Sequence, residues 1–187
     1  MFMQDITRQS ATPITAAQGP VCGLLAGTSV ETATGWAMIE TLRIGDRLYT
    51  DDGGLRPIRA MGRHWLHPAQ GLSVIVLPGG TLDNCTDLCL LPQQHLLIDL
   101  TDADRFDALA AAIPAAGLLS HPGTRCLCPR DPVEVFTPQF DEAEAIWATS
   151  GVRILCEAIS GPDTYFTRLS VADTNLLFAA RRAVLAA

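Results

Sequence analysis

The sequence predicts a mostly β fold with one inserted helix and a C-terminal helix. Turn residues recur at short intervals from position 27 onward, at Gly27-Thr28, Thr34-Gly35, Gly45-Asp46 and Asp52-Gly53-Gly54. Glycine supplies positive φ at such turns, and Asp tolerates it. The segments between them are short and rich in β-branched and apolar residues, as strands are. Fifteen glycines and twelve prolines in 187 residues fit a turn-rich β protein. That length suits a single domain with its own core. At 48% hydrophobic and 18% charged residues, the chain is globular and not disordered.

The elements follow in order. A strand at 30–32 turns at Thr34-Gly35 into a return strand at 37–39. After the turn at 42–46 comes a strand at 47–50 with alternating faces, then another at 55–61. Residues 67–71 form a loop, and 72–77 an apolar strand closed by Pro78-Gly79-Gly80. Residues 88–100 read as a strand interrupted by Pro92, which lacks an N–H and belongs at a bulge or an edge. Residues 101–113 read as the inserted helix. Thr101 is its N-cap, Asp102 and Asp104 lie in its first turn, and Pro114 stops it. Phe106, Leu109, Ala110 and Ile113 share its apolar face. An irregular connection over 115–132 leads to strands at 133–136, 145–148 and 152–156. The last helix spans 170–187. Ser170 and Asp173 form its capping pattern, Arg181 and Arg182 lie toward its C-terminal end, and Leu177, Phe178, Val184 and Leu185 form its buried stripe. For the first of these strands alone, a plain β-meander satisfies the periodicity equally well.

A net charge of −7 argues against a nucleic-acid or anionic-membrane partner, since either requires a basic face. No run reaches the ~18 apolar residues of a membrane span. Residues 1–20 lack the basic and apolar regions of a signal peptide. They read as a flexible leader, and the compartment is read as cytoplasmic or left unassigned. Of the six cysteines, Cys85 and Cys89 with Cys126 and Cys128 offer four thiolates. C-x-C is a poor zinc half-site, so buried or idle thiols are expected, with no metal and no cofactor. His64, His67 and His121 match no motif and read as solvated loop residues.

The stretch from Gly27 to Arg63 reads GTSVETATGWAMIETLRIGDRLYTDDGGLRPIRAMGR. It resembles the first block of the Hint domain, the self-processing module of hedgehog proteins and inteins, and most of all the family's bacterial stand-alone branch. Leu88 to Leu100, LCLLPQQHLLIDL, resembles the family's His-bearing strand, with His95 in the His position. Pro132 to Cys156 is more loosely similar to the family's last strand pair. The resemblance divides the chain into a leader at 1–20, a Hint-like β domain at 21–157, and an extension at 158–187 whose helix packs on the domain. It makes Gly27, Thr28, Gly45 and Asp46 structural turn residues.

The resemblance implies cleavage of the peptide bond before the domain's own first cysteine, so that the chain's N-terminal segment is the substrate. A thiolate attacks the preceding carbonyl and turns the amide into a thioester. A histidine carries the proton to the departing amine, and hydrogen-bond donors hold the carbonyl oxygen. The motif spacing C-x-x-x-G-T places the nucleophile at Gly23, which has no side chain. Cys22 stands one residue early. On a strand that slip turns a side chain to the opposite face, so Cys22 is expected to point away from His95. Pro92 stands where the family has Thr or Ser, and the two late His positions fall at Thr137 and Ala143. Neither Asn84 nor Asn175 follows a His, so two-sided splicing is not expected. The expectation is a Hint protein whose autoprocessing is lost or weak. Cleavage at Val21–Cys22 by Cys22 and His95 is one alternative, and a non-catalytic metal- or protein-binding module is another. Read as ordinary residues, Cys22 is an idle thiol and His95 a core histidine held by a backbone partner.

Overall fold

A computed structural model describes residues 22–101, 108–149, 151–161 and 164–185. The leader at 1–20, and Asp102, Asp104 and Phe106 of the expected inserted helix, lie outside these residues. The described strands are β1 (Leu24–Leu25), β2 (Ser29–Thr32), β3 (Gly35–Met38), β4 (Arg47–Thr50), β5 (Gly54–Pro57), β6 (Ala60–Leu66), β7 (Val74–Leu77), β8 (Leu88–Leu90), β9 (His95–Asp99), β10 (Ala110–Pro114), β11 (Arg125–Leu127), β12 (Val133–Gln139), β13 (Glu144–Ala148), β14 (Val152–Cys156) and β15 (Thr167–Arg168). A helix, α1 (Val171–Leu185), follows them.

The strands form two sheets. One has the order β11-β7-β8-β1-β12-β6. The other runs β15-β10-β9-β14-β13-β2-β4-β5, with β3 paired to β2. One apolar core draws on both. Leu24, Ile75, Leu77, Leu90 and Phe136 come from the first sheet, Val30, Leu48, Leu96, Ile113, Ile146 and Ile154 from the second, and Leu177 and Phe178 from α1. Each such side chain contributes roughly 1.5–3 kcal/mol when fully buried. Burial follows alternation where a strand has one covered face, as in β4, where Leu48 and Thr50 are buried and Arg47 and Tyr49 are not. It is continuous where both faces are covered, as in β7.

Three expected elements take a different form. Residues 110–113 of the expected helix, together with Pro114, form β10, paired antiparallel to β9 with Ala110 opposite Asp99 and Pro114 opposite His95. Leu109 is 90% exposed and shares no buried face with Ile113. The alanines favour a helix locally, but a slot between β9 and β15 overrides that preference. The expected strand at 88–100 is two strands in different sheets, β8 and β9. Between them the Gln94 N–H donates to the Leu91 carbonyl at 3.0 Å. Pro92 occupies the second position of this turn, where its fixed φ fits and no N–H is required, and not a bulge or an edge. The expected strand at 55–61 divides likewise into β5 and β6. Between them the Gly45 N–H donates to the Ile58 carbonyl at 2.9 Å, and the Ile58 N–H to the Asp46 carbonyl at 2.8 Å.

The C-terminal helix is capped as its sequence implies, the Asp173 N–H donating to Ser170 Oγ at 3.1 Å. Leu177 and Phe178 are buried. Its first turns cross the 3-10 segment Ala115–Ser120, where a Cβ at Gly117 would lie 2.5 Å from Thr174 Cγ2.

Candidate functional site

The site forms where the first described residues enter the fold. β1 lies antiparallel between β12 and β8, with Leu24 opposite both Phe136 and Leu90. Gly23, immediately before it, has φ +136°, a region that L side chains rarely adopt. A Cβ there would lie 2.5 Å from Val135 Cγ1, 2.9 Å from Thr137 Cγ2 and 3.0 Å from the Phe136 carbonyl oxygen. The position that motif spacing assigns to the nucleophile therefore has no room for any side chain.

Cys22 takes a place that the strand rule does not predict. Cys22 and His95 line one cavity of about 400 Å³, together with Gln93, Gln94, Leu155, Glu157 and Arg168. The expected outward orientation did not foresee this shared cavity, because alternation holds only for extended residues inside a strand. Gly23 departs from that geometry one residue before β1 begins. A smaller cavity of about 40 Å³ is also lined by Cys22, and by Gly23, Thr137 and Cys156 among others.

The charges around this cavity are mixed. Burial pushes the Cys22 thiol above its ordinary pKa and Glu157 adds to that, while Arg168 opposes both. Burial also holds His95 below the ordinary imidazole value. Arg168 strengthens that effect, and a backbone hydrogen bond at Gln93 opposes it. At neutral pH the cavity is thus lined by a thiol and a neutral imidazole. Cys156, fully buried, is pushed far above the thiol range, chiefly by burial, and is inert. The Arg168 guanidinium stands 3.9 Å from the Glu157 carboxylate.

Gln94 ties these parts together and was not singled out by sequence reasoning. It is 3% exposed. Its Oε1 accepts the Gly23 N–H at 2.7 Å, and its Nε2 donates to the Leu155 carbonyl at 2.8 Å and to the His95 carbonyl at 3.1 Å. The available signal was a polar pair, Gln93-Gln94, inside an otherwise apolar run. Glu157 and Arg168 carried no local signal, since they reach the site only through β14 and β15.

The remaining candidates fall as follows. Pro92 accepts the Ala116 N–H at 2.9 Å through its carbonyl and offers the site no hydroxyl. Thr137 packs against Gly23, while Ala143 is buried in a small apolar cluster with Ala112 and Leu155. The Gly27 N–H donates to Glu40 Oε2 at 2.9 Å, and Thr28 Oγ1 to the Leu25 carbonyl at 2.7 Å. Asp46 Oδ2 accepts the Arg43 N–H at 2.8 Å, closing the turn that contains Gly45. His67 closes the Pro68–Gln70 turn, and His121 packs edge-on against Phe178 with ring centroids 5.8 Å apart. Cys85, Cys89, Cys126 and Cys128 are all exposed. Among the described residues no three His, Cys, Asp or Glu side chains stand close enough to hold a metal ion. No described helix is long and apolar enough to cross a membrane.

A family model described as the Hint domain matches residues 22–159. No curated protein sequence is significantly similar to this one. Among solved structures, the chain is similar to a bacterial intein-like domain from Clostridium thermocellum, at 13% identity and a TM-score of 0.46, covering 72% of this chain and 97% of that one. It is also similar to the AceL NrdHF class 3 split intein, at 12% identity and a TM-score of 0.45, covering 73% and 97%. The gp41-1 intein matches at 12% identity and a TM-score of 0.43, covering 72% and 98%. The family match, and not these distant likenesses, carries the assignment.

Proposed function

Because the chain belongs to the Hint domain family, we propose that it is a self-processing module whose acyl-shift chemistry survives in weakened form at the Val21–Cys22 bond. The observation that supports this reading is the cavity that Cys22 and His95 both line, although the family's nucleophile position is an unsubstitutable glycine.

The chemistry requires one proton to travel a short circuit. Neutral His95 takes the proton from the Cys22 thiol. The sulfur attacks the Val21 carbonyl carbon and the C–S bond forms. The C–N bond to Cys22 then breaks as the imidazolium returns the proton to the departing amine. The product is a thioester between the 1–21 segment and Cys22 Sγ, with a free α-amine on Cys22. An external thiol or hydroxylamine then takes the acyl group and releases that segment. Two features support a weakened reaction. The Cys22 thiol holds its proton more tightly than an ordinary cysteine, and Pro92 contributes no hydroxyl to the carbonyl oxygen.

The test is the intact mass of the purified chain, incubated with and without dithiothreitol or hydroxylamine. The expected result is slow, nucleophile-dependent loss of residues 1–21, absent in Cys22→Ala and strongly reduced in His95→Ala. With hydroxylamine as the nucleophile the rate is expected to stay nearly level from pH 7 to pH 9, since a protonated Cys22 thiol with a neutral His95 is already the reacting state throughout that range. Pro92 and the raised thiol favour a second reading, in which the fold is kept for binding without cleavage. An unchanged mass of about 20.0 kDa after long incubation with either nucleophile would select it.

A further inference from the structure

We propose that Gln94 is the positioning residue of the site, holding the Cys22–Gly23 peptide so that the Cys22 thiol faces His95. Gly23 cannot be held by a side chain of its own, and β1 begins only at Leu24. The Gly23 amide nevertheless has a buried partner. Gln94 Oε1 accepts its N–H at 2.7 Å, 71 residues away in sequence. That bond sets the plane of the peptide that leaves Cys22, and with it the direction of the Cys22 side chain. The other end of the same amide grips the cavity walls, through the carbonyls of Leu155 at 2.8 Å and of His95 at 3.1 Å.

The chemistry of these three contacts selects glutamine. The site presents one N–H and two carbonyl oxygens to one buried side chain. Only a group that accepts at one atom and donates at another satisfies all three. A flipped amide would set NH₂ against N–H and oxygen against two carbonyls, so its orientation is determined. Gln94 touches neither the thiol nor the scissile bond in these contacts. It acts through Cys22 and His95, and a small displacement of reacting groups can cost ~100-fold in rate.

The inference rests on the proposed acyl shift only for its kinetic consequence, and amide exchange tests it separately. In the full wild-type chain the Gly23 amide is expected to exchange as slowly as those of β1 and β12. In Gln94→Met, which preserves volume, Gly23 is expected to exchange at least ~10-fold faster while the β12 and β14 amides stay protected, the loss of a buried hydrogen bond being local. Dithiothreitol-dependent cleavage is expected to fall ~100-fold. Fast Gly23 exchange in the wild type overturns the proposal even if no variant folds. So does unchanged Gly23 protection, or unchanged cleavage, in a folded Gln94→Met chain. If the wild type never cleaves yet Gly23 protection depends on Gln94, the anchoring role stands and the self-processing reading fails.

Discussion

A methyl group at position 23 would press into Val135, Thr137 and the Phe136 carbonyl, on a backbone already at φ +136°. Gly23→Ala is therefore expected to lower the unfolding free energy by about 3 kcal/mol, read as a lower urea midpoint at unchanged slope. Gly23→Cys, which would restore the family's spacing, is expected to be at least as destabilising and to gain no activity. The motif alone reads as a lost nucleophile; the structure adds that the lost position is sterically closed. Cys22 was legible as a candidate only because it is a cysteine near the right place. Its place on the cavity that His95 also lines was not, because the strand rule presumes extended backbone that Gly23 does not adopt.

Where both neighbours agree with local preference, an element was legible to within a residue or two. β4 and β14 match their expected bounds, since turn residues end them on both sides. The helix α1 begins where Ser170 and Asp173 imply. Ser170→Ala removes the acceptor for the Asp173 N–H and is expected to cost about 1 kcal/mol, measured by chemical denaturation. Residues 110–114 misled because an alanine-rich run carries a helical preference of only tenths of a kcal/mol per residue. Pairing with β9 and β15 outweighs it. The 88–100 segment misled for another reason. Both halves are apolar and β-prone, and nothing in the residues says that a four-residue turn sends them to different sheets.

At the scale of the whole molecule, the site exists because the two sheets meet at that turn. β1 and β12 of one sheet bring Gly23 and Thr137, and β9, β14 and β15 of the other bring His95, Leu155 and Arg168. Global stability should report this burial through pH. The folded pKa of His95 lies below its unfolded value. Between the two values the unfolded chain binds more protons, so stability rises with pH there. The contribution is complete above about pH 6.5 and is lost as pH falls toward the folded value. His95→Asn is expected to flatten that part of the profile, seen as urea midpoints that fall less steeply below pH 6.5 than those of the wild type.

The residues by themselves determined the mostly β class, the C-terminal helix with its cap and the family, and they offered Cys22 and His95 as the candidates for its chemistry. These follow from turn residues, short-range periodicity and motif spacing, all of which are local. Only the tertiary structure decided that Cys22 and His95 line one cavity, that position 23 admits no side chain, and that Gln94 binds the Gly23 amide. Those depend on where strands 70 or more residues apart come to lie, and on a single backbone angle that no local pattern encodes.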